Sequence, residues 1–320
     1  MAVRFSILIP AYKSAYLAEC IQSILSQTYA DFEIVIVNDA SPEDIDTIVS
    51  SYADRRIRYY VNDRNCGAEN VVDTWNRCLQ LSTGEYVICI GDDDKLLPIC
   101  LEEYDRLITE HPGIGLLHGW TEIIDGNSTV IELTTHRCEH ETAMSLLWHR
   151  VYAYKAQFIG DFCFNAALLK KNGGFYKLPL AWASDDISAI IAAQASGVAN
   201  TQKVVFQYRR HPQTISNSSN EMLKLKAITL KEAWLNEHLS KSCTDPRDEL
   251  YRLQLVKELP SLLSKERSVM VCDDISSHSL LRVFFWLRHR REFHLSFSAV
   301  IRGLFKYIRN ETVIYNISLY

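Results

Sequence analysis

Gly84-Glu85-Tyr86-Val87-Ile88-Cys89-Ile90-Gly91-Asp92-Asp93-Asp94 is an apolar strand pattern over 86–90 that runs directly into three carboxylates. The Thr83-Gly84 break opens it, and Gly91 closes it. Adjacent carboxylates repel one another, so such a cluster costs stability unless a cation neutralises it. At the end of a buried strand it suits Mg²⁺ or Mn²⁺, hard ions that take carboxylate and phosphate oxygens. A metal there would bridge a diphosphate and stabilise its charge as it leaves. The competing reading is a solvated acidic loop, or the first turn of a helix starting near Pro98, where carboxylates also belong.

Toward the N-terminus the pattern alternates. A near-continuous apolar run over 5–9 ends at Pro10, as expected for a strand covered on both faces. Leu17, Ile21, Ile24 and Leu25 then recur at helical spacing. A β-branched run over 32–37, a helix over 43–52, a strand over 57–61 and a helix over 69–81 complete a β-α-β-α-β-α-β series. That order predicts an α/β fold with a mainly parallel, Rossmann-like sheet flanked by helices. Ligands of open α/β sheets bind outside the carboxyl ends of the strands. Those ends carry Pro10-Ala11-Tyr12, Asp39, Asn65 with Gly67, and Asp92–Asp94. Any one of them alone reads as a turn residue; together they mark one edge of the sheet.

Past Pro112 the pattern is less regular: a strand over 114–120, a hairpin turn at Asp125-Gly126-Asn127, an apolar helix over 187–195 and a late strand over 204–208. From about Asn217 the chain reads as helical, with basic residues among aromatics between 281 and 310. The organisation expected is a domain over 1–216, with halves at 1–110 and 111–216, followed by a helical region over 217–320. The net charge of −5 in 320 residues gives no reason to expect nucleic-acid binding. Nine dispersed cysteines without a CxxC pair read as reduced thiols of a cytoplasmic protein, with no zinc site. Neither a signal peptide nor a transmembrane helix is expected.

Three segments carry a family resemblance. Ser6-Ile7-Leu8-Ile9-Pro10-Ala11-Tyr12 resembles the opening strand of the family 2 glycosyltransferases, which have the GT-A fold. Gln27-Thr28-Tyr29 and the stretch from Phe32 to Ser41 are similar to that family's second strand and nucleotide-binding aspartate, here Asp39. The stretch from Gly84 to Asp94 resembles the strand that ends in its DxD metal motif, although Gly91 stands where many members carry the first aspartate. The resemblance implies that Pro10, Ala11 and Tyr12 line the base pocket, that Asp39 accepts a hydrogen bond from the base, and that Asn65, Gly67 and Asn76 border the nucleotide. It implies that Asp92 and Asp93 contact ribose and metal, with Asp94 the other candidate ligand.

A second acidic pair, Asp185-Asp186, resembles the family's acceptor-side motif, whose aspartate is the general base. An acceptor hydroxyl needs such a base to attack an anomeric carbon. Spacing to Gly197 favours Asp186 and the Ser184-Asp185 pairing favours Asp185; a plain helix N-cap is the alternative. Tyr208-Arg209-Arg210-His211, followed by Thr214-Ile215-Ser216, is similar to a late segment of the family. Arg209 or Arg210 with His211 could there reach the diphosphate, or form a solvated surface patch. Around Phe284 to Arg291, and at Phe305-Lys306-Tyr307, apolar bulk combined with positive charge fits either a packed helix or one lying on anionic lipid.

The resemblance therefore implies a metal-dependent, inverting transferase of a bacterial cell. It would move sugar from a nucleotide sugar, UDP-linked by default, to a glycan or lipid-linked acceptor of surface polysaccharide. It would work in the cytoplasm or on the inner face of the membrane. One rival is a catalytically degenerate nucleotide-binding scaffold. Another is a sugar nucleotidyltransferase, which would want a glycine-rich basic loop where Pro10-Ala11-Tyr12-Lys13-Ser14 stands.

Overall fold

The computed structural model describes residues 3–152, 155–211, 220–278 and 281–309. The expected boundary at 216/217 and the segment Thr214-Ile215-Ser216 lie outside the described residues.

The predicted alternation is realised as β1 (Phe5–Ala11), α1 (Leu17–Leu25), β2 (Phe32–Asn38), α2 (Ile45–Ser50), β3 (Ile57–Val61), α3 (Val71–Leu81) and β4 (Tyr86–Cys89). These strands pair in parallel in the order β3-β2-β1-β4. Side chains of a strand alternate between faces, and the two faces hold separate cores. Phe5, Ile7 and Ile9 of β1 pack with Leu17, Ile21 and Ile24 of α1. Leu8, with Val35 and Val37 of β2, packs on the other side with Trp75 and Cys78 of α3.

The chain then forms β5 (Lys95–Leu96), α4 (Cys100–Glu110), β6 (Leu116–Ile124), β7 (Val130–Leu133), β8 (His140–Glu141), α5 (Ala143–Val151), β9 (Phe162–Asn165), α6 (Ala166–Lys171), α7 (Ser184–Ala193) and β10 (Val198–Arg209). The full sheet order is β3-β2-β1-β4-β9-β6-β10-β5, with β7 on β6 and β8 on β10. The sheet is mixed beyond β4, because β9 runs antiparallel to both β4 and β6. The strand expected over 114–120 is β6, the Asp125 turn joins β6 to β7, and the late strand is the end of β10. β9, only Phe162-Cys163-Phe164-Asn165, is too short and too uniformly buried to show a period.

The C-terminal region is helical: α8 (Glu221–Leu239), α9 (Pro246–Ser277), α10 (Leu281–His289) and α11 (Phe297–Arg309). Asp245 caps α9 by accepting from the backbone N–H groups of Arg247 and Asp248, and Pro246 opens its first turn. Leu225 and Ile228 of α8 and Leu255, Leu259 and Leu263 of α9 belong to the same core as Leu147 of α5 and Ile187 and Ile190 of α7. These helices therefore close over the half of the sheet that carries α7. Among the described residues no helix is long and apolar enough to cross a membrane.

One buried carboxylate fixes where β4 begins. Glu33 on β2 accepts from Ser6 Oγ at 2.7 Å, from Thr83 N at 2.6 Å and Oγ1 at 2.9 Å, and from Arg58 Nη1 at 2.7 Å. Burial opposes its charge, but the bonds from Arg58, Ser6 and Thr83 outweigh that and hold its pKa below the ordinary value. Glu33→Ala leaves those donors unpaired and should lower unfolding stability by about 2–4 kcal/mol. Denaturant midpoints check this, and a change within the scatter of exposed-site substitutions would contradict it.

Candidate active site

One cavity of about 940 Å³ opens at the carboxyl edge of the parallel strands and extends to α7 and the C-terminal helices. Pro10 and Tyr12 after β1, Asp39 after β2, and Asn65 and Gly67 after β3 line it. Asp92, Asp93 and Asp94 after β4, His211 after β10, and Asp185 with Asp186 also reach it. Elements far apart in sequence thus deliver two acidic groups to one space.

Asp39 is almost fully buried. The backbone N–H of Cys66 donates to it at 3.1–3.2 Å and the Asn62 amide donates to Oδ1, while Arg77 in turn donates to Asn62. Asn65 donates to the Asp39 carbonyl at 2.9 Å and accepts from Gly67 N, whose φ of 74° is the left-handed region that glycine tolerates. The loop after β3 is thereby fastened to the end of β2.

The acidic run is held from three directions. Asp92 Oδ2 accepts from the backbone N–H groups of Tyr12 and Lys13 at 2.6 and 2.7 Å. Asp94 Oδ1 accepts from Arg209 N at 2.8 Å, and Asp93 Oδ2 lies 2.8 Å from His211 Nε2. Burial, reinforced by the charge of Asp93, raises the pKa of Asp92 to about 7 and drives that of Asp94 well above the ordinary carboxylate range. A Cβ at position 91 would sit 2.7 Å from Asp93 Oδ1 and 3.0 Å from Asp94 Oδ2, so a larger residue there would displace these carboxylates.

Among the described residues, no three His, Cys, Asp or Glu side chains converge into a ready-made metal-binding set. A magnesium or manganese site needs only one or two carboxylates when substrate phosphates supply the remaining oxygens. Asp93 fits that smaller donor set: its pair with His211 uses one oxygen, and both residues line the cavity. The crowding of carboxylates whose charge is disfavoured by burial fits a cation as well.

Four of the residues expected at the site lie elsewhere. Ala11 is fully buried and does not line the cavity. Asn76 clamps the loop before α7, accepting from Phe175 N at 2.7 Å and donating to Phe175 O at 3.0 Å. Arg209 has a fully buried side chain behind the wall. Its guanidinium donates to Asp93 O, Asp125 O, Ser128 Oγ and Glu19 Oε2 at 2.7–3.2 Å, and lies 4.1 Å from the Tyr16 ring centroid. It therefore braces the acidic loop instead of reaching into the cavity. Arg210 is exposed and pairs with Glu132.

Asp185 and Asp186 start α7 in different surroundings. Asp186 accepts from Arg150 Nε at 2.8 Å and from Gln157 Nε2 at 2.6 Å. Asp185 accepts from the backbone N–H of Asp186 at 2.9 Å, and burial together with the Asp186 charge raises its pKa to about 7. Leu180, Ala181 and Ala183 just before them all have φ between 53° and 66°. Such backbone is costly for residues with a Cβ and persists only where its surroundings over-determine it. Here Ser184 Oγ accepts from Leu178 N at 3.1 Å and Ser188 Oγ accepts from Tyr176 N at 2.8 Å.

Arg150 and Gln157 escape a reading of the sequence because their partner lies 36 and 29 residues away and neither belongs to a motif. The same holds for Phe158 and Tyr208, whose rings stack 3.9 Å apart in the cavity wall.

Comparison with known proteins agrees with this geometry. The family described as glycosyl transferase family 2 matches residues 6–171. An uncharacterized glycosyltransferase of Rickettsia typhi is 34% identical over 106 residues, covering 33% of this chain and 32% of that protein. WcaA of Escherichia coli, provisionally named a colanic acid biosynthesis glycosyl transferase, is 38% identical over 111 residues, covering 32% and 39%. The matches thus span about a third of these relatives' length. Among solved structures, Staphylococcus aureus TarS in complex with UDP-GlcNAc superimposes with a TM-score of 0.63 at 18% identity, covering 95% of this chain and 89% of that one. Mannosyltransferase PcManGT of Pyrobaculum calidifontis, in complex with GDP-Man and Mn²⁺, gives 0.53 at 16% identity, covering 97% and 88%. The fold is that of these GT-A-type neighbours.

Two outcomes follow from the geometry. Arg209→Met should lower stability by about 2–4 kcal/mol, because the Asp93 and Asp125 carbonyls lose a buried donor; an unchanged denaturant midpoint would contradict the bracing role. Asp185 titrates near 4 when unfolded and at about 7 when folded, so the native state binds more protons between those values. Its contribution to stability is present at low pH and is lost as pH rises through about 7. Melting temperatures of Asp185→Asn should therefore fall less than wild type between about pH 5 and about pH 7.5; parallel curves would contradict this.

Proposed function

The chain belongs to glycosyl transferase family 2, and from that premise we propose that it transfers a sugar from a nucleoside-diphosphate sugar to an acceptor hydroxyl with inversion, in the assembly of a surface polysaccharide. The observation that carries this reading is the cavity lined both by the strand-end residues Asp39 and Asp92–Asp94 and by Asp185 with Asp186. The nucleotide lies at the strand ends, with Tyr12 and Asn65 beside the base and Asp39 facing it. UDP is the default base. GDP is the alternative, because structural neighbours hold UDP-GlcNAc and GDP-Man.

Asp93 with His211, assisted by Asp92 and Asp94, would hold a divalent metal where the diphosphate binds. When bound, that ion supplies Lewis-acid stabilisation of the departing phosphate charge. Asp185 is the base. Asp186 is already engaged by Arg150 and Gln157, whereas Asp185 accepts from the backbone N–H of Asp186 and has a raised pKa. The acceptor oxygen bonds to the anomeric carbon as the bond from that carbon to the diphosphate oxygen breaks, and the hydroxyl proton passes to Asp185. Asp186 with Arg150 keeps the start of α7 in position. The acceptor is a glycan or lipid-linked glycan, and the exposed Phe284 and Phe297 of α10 and α11 touch the cytoplasmic membrane surface.

Release of nucleoside diphosphate from a panel of UDP- and GDP-sugars tests the reading. Wild type should turn over one donor class, with a rate that rises with pH to a plateau above about 7. Asp185→Asn should lower kcat by about 10²–10⁴-fold. Turnover in Asp185→Asn equal to wild type would overturn the assignment of the base, and no turnover of any donor by folded protein would favour the scaffold reading. In flotation with anionic vesicles, a Phe284→Ser, Phe297→Ser double variant should float less than wild type; equal flotation would remove the membrane contact.

A further inference from the structure

Asp186 stands on a longer hydrogen-bonded chain. Gln157, which lines the cavity and is 2% exposed, gives Nε2 to Asp186 Oδ1 at 2.6 Å and accepts at Oε1 from Arg137 Nη2 at 2.8 Å. Arg137 gives Nη1 to Glu141 Oε1 at 3.1 Å. Glu141 also accepts from Ser145 Oγ at 3.0 Å and from Asn200 Nδ2 at 3.3 Å, and His149 Nδ1 lies 3.3 Å from it. Burial opposes the charge on Glu141, but His149 and Arg137 outweigh that and hold its pKa at about 2. Arg137, between β7 and β8, and Glu141 of β8 are 4% and 5% exposed, and neither lines the cavity. Charge therefore alternates along the chain, from Glu141 through Arg137 and the neutral Gln157 to Asp186 and Arg150.

The two ends of a glutamine amide are opposite in kind: Oε1 only accepts and Nε2 only donates. A half-turn of the Gln157 amide would set Oε1 against the Asp186 carboxylate, oxygen facing oxygen with no proton between them. A guanidinium has donors and no acceptor, so Arg137 accommodates only Oε1 on its side. It thereby selects the orientation in which Nε2 reaches Asp186. Asp186 adjoins Asp185, and a carboxylate left unfastened there would compete with Asp185 for the same hydroxyl. Position matters at this point, because misplacing a reacting group by about 1 Å costs about 10²-fold in rate.

We infer that Arg137 is a positioning residue of the transfer reaction: by fixing which end of the Gln157 amide faces Asp186, it keeps that carboxylate fastened and leaves Asp185 as the base. This rests on the transfer reading above and adds to it a residue that touches no reacting group and belongs to none of the motifs.

The test compares steady-state kinetics of the full chain, on the UDP- or GDP-sugar it turns over, among four variants. Arg137→Met with Glu141→Gln removes both buried charges together, so that neither is left unpaired. Gln157→Leu breaks the chain at the amide, a third variant carries all three changes, and Arg137→Lys keeps a cationic donor for Oε1. The first should melt close to wild type, yet lose about 10- to 100-fold in kcat with donor KM changed by less than about twofold. Gln157→Leu should lose as much, the combined variant no more than either, because one link is broken in each, and Arg137→Lys should recover most of the rate. A kcat equal to wild type in the first variant, or losses that multiply in the combined one, would overturn the inference. A readout without turnover is the side-chain amide signal of Gln157 in protein made with isotope-labelled glutamine, identified by its absence in Gln157→Leu. Its protons should be protected from solvent exchange in wild type and in Arg137→Lys, and lose that protection in Arg137→Met with Glu141→Gln; protection that survives there would also overturn the inference. Absence of turnover in wild type, with the amide signal behaving as expected, would count against the transfer reading alone.

Discussion

Asp92 accepts hydrogen bonds from the backbone N–H groups of Tyr12 and Lys13, and through that one carboxylate the end of β4 is tied to the end of β1. The ends of other strands are fastened to the same place. Arg209 at the end of β10 gives its N–H to Asp94 and its guanidinium to the Asp93 carbonyl, and Asn65 after β3 binds the Asp39 carbonyl at the end of β2. Three neighbouring carboxylates would repel one another in a free loop. Backbone donors and His211 hold them in a cavity where burial leaves two of them with raised pKa values. The molecule has concentrated charge where a polyanionic ligand with its cation would relieve it.

The start of α7 is built by a different device. Three residues with positive φ turn the chain sharply before α7, and the hydroxyls of Ser184 and Ser188 hold the turn. The helix therefore starts with two carboxylates that differ in role. Asp186 is locked to Arg150 and Gln157, and Asp185 is left to titrate at about 7. The C-terminal helices enter the argument at the same point, because their core is continuous with that of α7 and they form part of the cavity wall.

The strand ends were legible in the sequence because they depend on local signals: apolar runs such as 5–9 and 86–90, and polar residues immediately after them. Asp39, Asn65, Gly67 and the acidic run all reach the cavity they were expected to reach. What adjacency cannot convey is direction. Arg209 and His211 are two residues apart, yet one points behind the wall and the other into the cavity: β10 ends at Arg209, and His211 lies beyond it, where the strand's same-face spacing of i and i+2 no longer applies. Asn76 looked like a nucleotide neighbour, but it spends both ends of its amide on a loop about a hundred residues away. The choice between Asp185 and Asp186 was equally hidden, since it turns on Arg150 and Gln157, which no spacing connects to α7. Gly91 looked like a departure from the DxD pattern, and in the fold Asp93 and Asp94 pack against it, where a side chain would displace them.

The central claim is that the acidic run holds a nucleoside diphosphate through a divalent metal at Asp93. Titration calorimetry of UDP and GDP into the full chain, with Mn²⁺ or with EDTA and with Asp93→Asn beside wild type, tests it most directly. The account predicts that one nucleotide binds wild type in Mn²⁺, that EDTA abolishes the binding, and that Asp93→Asn weakens it by about tenfold or more. Equal affinity in EDTA, or an Asp93→Asn protein that binds as wild type does, would contradict it.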